Sequence, residues 1–273
     1  GWRSGSAMPS FPCMLPALSI LDQSTIVSGR TAADAIQDTL AVARLADSLG
    51  YRRYWLAEHH NSGAHAGSAP EILIAAIAAT TRRIRVGSAG VMLPHYSALK
   101  VAEQFRALEA IAPGRIDLGL GRAPGSDGRT AHALNPNAAS AADHFPAQVR
   151  DLLCWLGEGL PENHPFRAVR AAPEVATRPE PWILGSSDYG AQVAAFFGLP
   201  YCFAHFITDG RGAAEALALY RDGFRGPGSP HAAIGVYALA AETEAEAERL
   251  FLPRALWRLH RDLIRLRRTD PVF

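Results

Sequence analysis

Glu58-His59-His60 is the densest run of proton-exchanging side chains in the sequence, and it closes a short apolar stretch, Tyr54-Trp55-Leu56-Ala57, that reads as a buried strand. A carboxylate beside two histidines can trade protons near neutral pH, because histidine is the side chain whose ordinary pKa lies there. The same cluster can instead be a hydrogen-bonded structural group, or, with His65, part of a metal site. The metal reading has little behind it, since the first strand offers only Asp22 and Gln23 and no other His/Asp pair has ligand-like spacing. Two further groups point to an anion. Arg122 follows Gly119-Leu120-Gly121 at the end of another apolar run, where a guanidinium either makes a surface ion pair or clamps an anion through two hydrogen bonds. Gly185-Ser186-Ser187 opens a helix, and free amides with hydroxyls at a helix start suit phosphate. Together these two elements imply a phosphorylated cofactor. Gly119-Leu120-Gly121 is not a dinucleotide fingerprint, because the third glycine and the later acidic residue do not fit.

The elements that must position these groups alternate along the chain. Strands read at 18–23, 54–58, 84–92, 116–121, 182–187, 201–206 and 234–240, each followed by a helical pattern. The first helix is the clearest. Thr31-Ala32-Ala33-Asp34 resembles a capping box with Asp for Glu, Ile36, Leu40, Ala43 and Ala46 lie on one face, and Gly50 is placed to end it. Strict strand–helix alternation argues for a parallel sheet, and this length suits one α/β barrel. The expected fold class is therefore α/β, a (β/α)8 TIM-type barrel with the eighth β/α unit missing. After the seventh strand the sequence offers a long helix begun at Thr243-Glu244-Ala245-Glu246, interrupted by Pro253, and no eighth strand. Residues 1–17 read as a tail, whose Gly1-Trp2-Arg3-Ser4-Gly5-Ser6-Ala7 looks more like an added leader than a secretory signal. Residues 18–273 read as a single barrel domain that is short at its C-terminal side. In such a barrel the active site lies at the strands' C-terminal ends, where Asp22-Gln23, Glu58-His59-His60, Ser88-Ala89-Gly90, Arg122, Gly185-Ser186-Ser187 and His205 all fall. The pocket walls are expected from 123–144 and 158–180, the second being proline-bearing, irregular and a candidate insertion or lid.

Composition narrows the partners. The chain of 273 residues is 48% apolar with a formal net charge of +1, so it has no electrostatic footprint for nucleic acid or an acidic membrane. No apolar run approaches the ~20 residues of a membrane span. Cys13, Cys154 and Cys202 are sparse and unpaired in spacing, which favours reduced thiols and a cytoplasmic location.

These residues in this order resemble the bacterial luciferase-like flavin-dependent monooxygenases, in particular their FMN-dependent subgroup. The segments that carry the likeness are Leu18–Ser24, Ala57–Asn61, Ser68–Glu71, Val91–Pro94, Ala102–Phe105, Pro113–Gly125 and Leu184–Ser187. The resemblance implies a barrel that binds reduced FMN at the strands' C-terminal ends, O2 as co-substrate, a separate flavin reductase and a homodimer. By position it makes His59 the catalytic histidine, with Glu58 or His60 orienting it. It makes Arg122 the flavin-phosphate arginine, Gly185, Ser186 and Ser187 the phosphate turn, and Ala89-Gly90 a non-proline cis peptide beneath the flavin ring. His95-Tyr96 and His65 depart from the family's pattern. The alternatives within reach are a deazaflavin-dependent oxidoreductase of the same fold and a non-catalytic flavin-binding protein or subunit, with a metallohydrolase third.

Overall fold

The computed structural model describes residues 16–122 and 126–269, so Cys13, most of the tail and the Ala123-Pro124-Gly125 part of the glycine loop lie outside it. The first of two compact units, reaching to Gly235, holds seven strands: β1 (Ile20–Asp22), β2 (Arg53–Leu56), β3 (Arg85–Met92), β4 (Ile116–Gly121), β5 (Glu180–Gly185), β6 (Tyr201–Phe203) and β7 (Ala232–Ile234). They pair in sequence order and every pairing is parallel. The connections carry α1 (Ala32–Leu49), α2 (Pro70–Thr80), α3 (Ala98–Ile111), α4 (Gly128–Leu134), α5 (Ala138–Asp143), α6 (Phe145–Leu156), α7 (Asp188–Phe197), α8 (His205–Thr208) and α9 (Ala213–Gly223). This is a (β/α)8 TIM-type barrel with one strand–helix unit missing.

Local sequence explains most of these elements. Thr31 and Asp34 form the reciprocal capping box at the start of α1, and Gly50 ends it at φ 80°, a left-handed conformation that costs glycine little. Ala98, Ala102, Phe105 and Leu108 of α3 are all buried, as their spacing requires. Other boundaries moved. Ala69, not Ser68, precedes α2, which begins on Pro70, a residue suited to the first helical position because its missing N–H would have no partner there. β6 ends at Phe203, and Asp209 closes the short α8 instead of starting the next helix. β7 spans Ala232–Ile234, so it begins two residues before the expected 234 and the apolar run to Ala240 does not extend the ladder.

Strand alternation divides the core into two layers. Tyr54, Leu56, Ile183, Tyr201 and Phe203 belong to the large cluster packed with the helices. Their neighbours Trp55, Trp182 and Cys202 form a separate small cluster, as a period of two places them on the opposite face of the sheet. Trp55 and Trp182 meet edge to face at 5.0 Å.

The N-terminal ends of β2 to β5 are tied by buried charge. Asp117 is fully buried and accepts from the Arg53 guanidinium at 2.8 Å, from Arg85 at 2.6 Å and from the Trp55 indole at 2.8 Å. Arg53 also reaches Glu180 at 3.1 Å and lies 4.9 Å over the Trp182 ring.

The second unit begins at Val236 and carries α10 (Glu244–Thr269). Thr243 caps it by accepting from the Glu246 amide at 3.2 Å, and the Arg254 guanidinium lies 3.5 Å over the Tyr237 ring. Pro253 lies within α10, where it removes one backbone hydrogen bond. No helix among the described residues is long and apolar enough to cross a membrane.

Removing one partner from a buried ionic network leaves the others uncompensated, at a cost of about 3–5 kcal/mol. Asp117→Asn is therefore expected to lower the urea unfolding midpoint by far more than Thr31→Ala, a cap loss worth about 1 kcal/mol. Equal losses in the two variants would mean that the network is not what holds β2 to β5 together.

Candidate active site

The strands' C-terminal ends converge on a cavity of about 350 Å³. Glu58, His59, Ala89, Gly90, Arg122, Gly185, Ser186 and Ser187 all line it, together with Gln23, whereas Asp22, His60, His65, Ser88 and His205 do not. The chain reaches the cavity from β2 through Ala57, whose amide donates to the Asp22 carbonyl, and His59, whose amide donates to the Gly67 carbonyl at 2.9 Å. Asp22 holds this corner by accepting from the Tyr54 hydroxyl and the Ser24 amide.

Glu58 is 1% exposed and fully engaged. Its Oε1 accepts from the His60 ring and from the Tyr96 hydroxyl, each at 2.8 Å, and its Oε2 accepts from the Met92 amide at 3.1 Å. Burial and the Glu58 charge push the Tyr96 hydroxyl above its ordinary value, which keeps it a donor. The expectation that Glu58 or His60 orients His59 is corrected here. The two bind each other, and among the described residues neither hydrogen-bonds to His59. Tyr96 was not readable as a site residue, because a tyrosine eleven residues after Arg85 carries no motif; only its departure from the family's pattern marked the position.

His59 is half-buried, with an Nδ1 that has no hydrogen-bond partner among the described residues. Burial lowers its pKa, and nearby His65 and His60 lower it further. Near neutral pH the ring is uncharged and able to accept a proton. On the neighbouring strand, the register between β3 and β4 shifts between Ser88 and Val91, and the Ala89–Gly90 peptide within that shift is cis. A Cβ on Gly90 would stand 2.7 Å from the Gly119 carbonyl oxygen, so the close approach of β4 excludes a side chain there. The result is a wall of backbone and small side chains.

Arg122 is exposed at the end of β4, with its guanidinium 4.2 Å over the Tyr189 ring. Tyr189 stands in the first turn of α7, so the stack carries the guanidinium toward Ser186 and Ser187. Ser187 precedes α7 without using its hydroxyl as a cap, and the Tyr201 hydroxyl donates to its carbonyl at 3.1 Å. Asp188 takes the Tyr189 amide for itself at 2.8 Å, so the helix start offers an anion the serine hydroxyls and the remaining amides. Cys202 also lines the cavity, and burial pushes its thiol up to about 12, so it stays protonated. Among the described residues no three His, Cys, Asp or Glu side chains are grouped to hold a metal ion.

The expected pocket walls lie elsewhere. No residue of 158–180 lines the cavity, and the stretch is not a lid. It leads from α6 into the start of β5, and a connection entering a parallel strand lies at the N-terminal face, opposite the site. Residues of 126–144 border a separate cavity of about 330 Å³, with Arg122 the residue common to both. His205 begins α8 and lines neither.

A family model described as luciferase-like monooxygenase matches residues 17–270. The chain belongs to the luciferase-like monooxygenase family. N-acetyl-S-alkylcysteine monooxygenase of Bacillus subtilis (strain 168) is 44% identical over 243 residues, which are 87% of this chain and 71% of that protein. The crystal structure of apo-MsnO8 superposes with a TM-score of 0.80 at 42% identity, covering 88% of this chain and 71% of that one. The oxygenating constituent of 3,6-diketocamphane monooxygenase from Pseudomonas putida, solved in complex with FMN, shares the fold at a TM-score of 0.67 and 20% identity, covering 86% of this chain and 70% of that one.

Because His59 and His65 both have depressed pKa values in the folded state, the folded protein binds fewer protons there than the unfolded chain. Their contribution to stability is complete above the unfolded histidine value of about 6.5 and is lost as pH falls through the folded values. Thermal unfolding followed from pH 8 downward is expected to show a fall in Tm that begins near that point, and a smaller one in His59→Gln. An identical fall in both proteins would remove His59 from the account.

Proposed function

We propose that this luciferase-like monooxygenase uses reduced FMN and O2 to oxidise a small organic substrate. The observation that carries the reading is a single cavity shared by a neutral histidine, a wall of backbone at Ala89–Gly90, and an arginine with a serine turn. The donor set fits the cofactor. Arg122 and the hydroxyls of Ser186 and Ser187 supply what a phosphate monoester needs, and the small-residue wall leaves space for a flat ring. When bound, reduced FMN supplies the electrons with which one oxygen atom of O2 enters the substrate and the other leaves as water.

The protein's own part is binding, exclusion of water and proton handling. The apolar lining from Leu21, Ala89, Ile183 and Leu184 keeps water from the reacting centre. His59, whose ring borders the cavity and is kept neutral by burial, exchanges the proton. Glu58, held by His60, Tyr96 and the Met92 amide, fixes the wall behind it. The same proposal includes a separate reductase that delivers reduced FMN, a homodimeric assembly and a cytoplasmic setting for the reduced thiols.

Fluorescence titration of the purified chain with FMN, and in parallel with a deazaflavin cofactor, tests the reading; saturable binding of FMN is expected, and binding of the deazaflavin alone would overturn it. Loss of a charge-assisted phosphate contact is worth about 1.5–3 kcal/mol, so Arg122→Ala is expected to weaken FMN about 10- to 100-fold. His59→Ala is expected to keep FMN affinity and to lower the oxidation rate by about 10²- to 10⁴-fold, the range of a general acid–base group. Turnover unchanged by that substitution would sink the assignment of His59.

A further inference from the structure

His65 lies face to face with His59, the ring centroids 4.7 Å apart and the planes 22° from parallel. It does not line the cavity, and nothing in the chemistry above uses it. Yet the ring is held from two sides. Ser62 Oγ pairs with its Nδ1 at 2.8 Å, and its backbone bridges in antiparallel fashion to Thr25, in the loop after β1. That bridge is reinforced by the Ala66 amide on the Ser24 carbonyl at 2.9 Å and the Ile26 amide on the Ala64 carbonyl at 2.8 Å. The loop between His59 and Gly67 is thereby a closed, pinned structure that presents one imidazole flat against another.

Two consequences follow for His59. Its Nδ1 has no hydrogen-bond partner among the described residues, and the stacked His65 ring packs against its face and limits its rotation. Two half-buried imidazoles at this separation repel if both are protonated, so a proton on one disfavours a proton on the other.

We propose that His65 is a positioning residue for His59, setting the plane of its ring and opposing its protonation so that it remains a proton acceptor. The proposal rests on His59 being the proton-exchanging group of the site. The other charges near the pair are already committed or line the same cavity. Glu58 and His60 bind each other, Asp22 accepts from Tyr54 and the Ser24 amide, and Asp127, at the start of α4, accepts from Asn61. Arg122 lines the same cavity at the end of β4, and His60 adds to the opposition. Burial and the nearness of His65 act in the same direction on the His59 ring.

NMR titration of the histidine rings in the full chain without ligand reads this directly. In the unaltered protein the two rings are expected to titrate as a coupled pair, the second proton entering only at clearly lower pH than the first. His65→Phe keeps a stacked ring but removes the charge, and is expected to move the His59 midpoint to higher pH while FMN affinity stays the same. With substrate in hand, the acid limb of kcat/KM is expected to move up with it, and the plateau at high pH to be retained. Independent titration of the two rings in the unaltered protein, or an unmoved His59 midpoint in His65→Phe, overturns the proposal; the first of these needs no variant to fold. Failure of the unaltered chain to bind FMN would count against the flavin reading, and the ring titration would still decide the role of His65.

Discussion

Asp117 is the constraint on which the rest of this sheet depends. A carboxylate with no exposure is tolerable only when its hydrogen-bonding capacity is filled, and here Arg53 from β2, Arg85 from β3 and the Trp55 indole fill it. Asp117, Arg85 and the pair Arg53 and Trp55 stand on three different strands, so the network can form only in one register. Asp117 pairs with Gly87 on one side and Glu180 on the other, and a slip of one residue would turn the carboxylate outward among the helices. Charge at the strands' N-terminal ends thus determines which side chains emerge at their C-terminal ends, about a strand's length away.

At the far end the same logic operates with chemistry in place of stability. Glu58 is buried like Asp117, but its partners are a histidine, a tyrosine and a backbone amide, and its other side is the cavity. Arg122, by contrast, has a π face beneath it and is exposed, so its charge is held in place and remains open to an anion. One buried carboxylate therefore shapes the wall near His59, while an accessible guanidinium and two serines provide a polar end. The cavity between them is mostly apolar, as small-molecule pockets usually are.

Much of this was legible in the sequence for local reasons. The Thr31/Asp34 box, the Gly50 stop and the inward face of α3 are set by interactions between residues at most a few positions apart, so spacing alone reveals them. β4 was readable to the residue because Pro113-Gly114 precedes it and Arg122 ends it. β6 was overextended and β7 was placed too late, sharing only Ile234 with the strand, since an apolar run shows where a strand can lie but not where its neighbour pairs. The 158–180 stretch shows a different limit. Its prolines mark it as irregular, but only its place between α6 and β5 puts it on the face opposite the site.

The sequence by itself determined the order of strands and helices and the residue types at each strand end, because hydrophobic period and capping are properties of neighbouring residues. It therefore brought His59, Arg122 and Gly185-Ser186-Ser187 to the same end of a barrel. Which of those groups touch one another was decided only by the tertiary structure. Glu58 turned to His60 and Tyr96, His59 met His65 through a loop pinned to Thr25, and Arg122 lay on Tyr189. Each of these contacts is set by side-chain direction and by register between segments distant along the chain, and no local pattern encodes either.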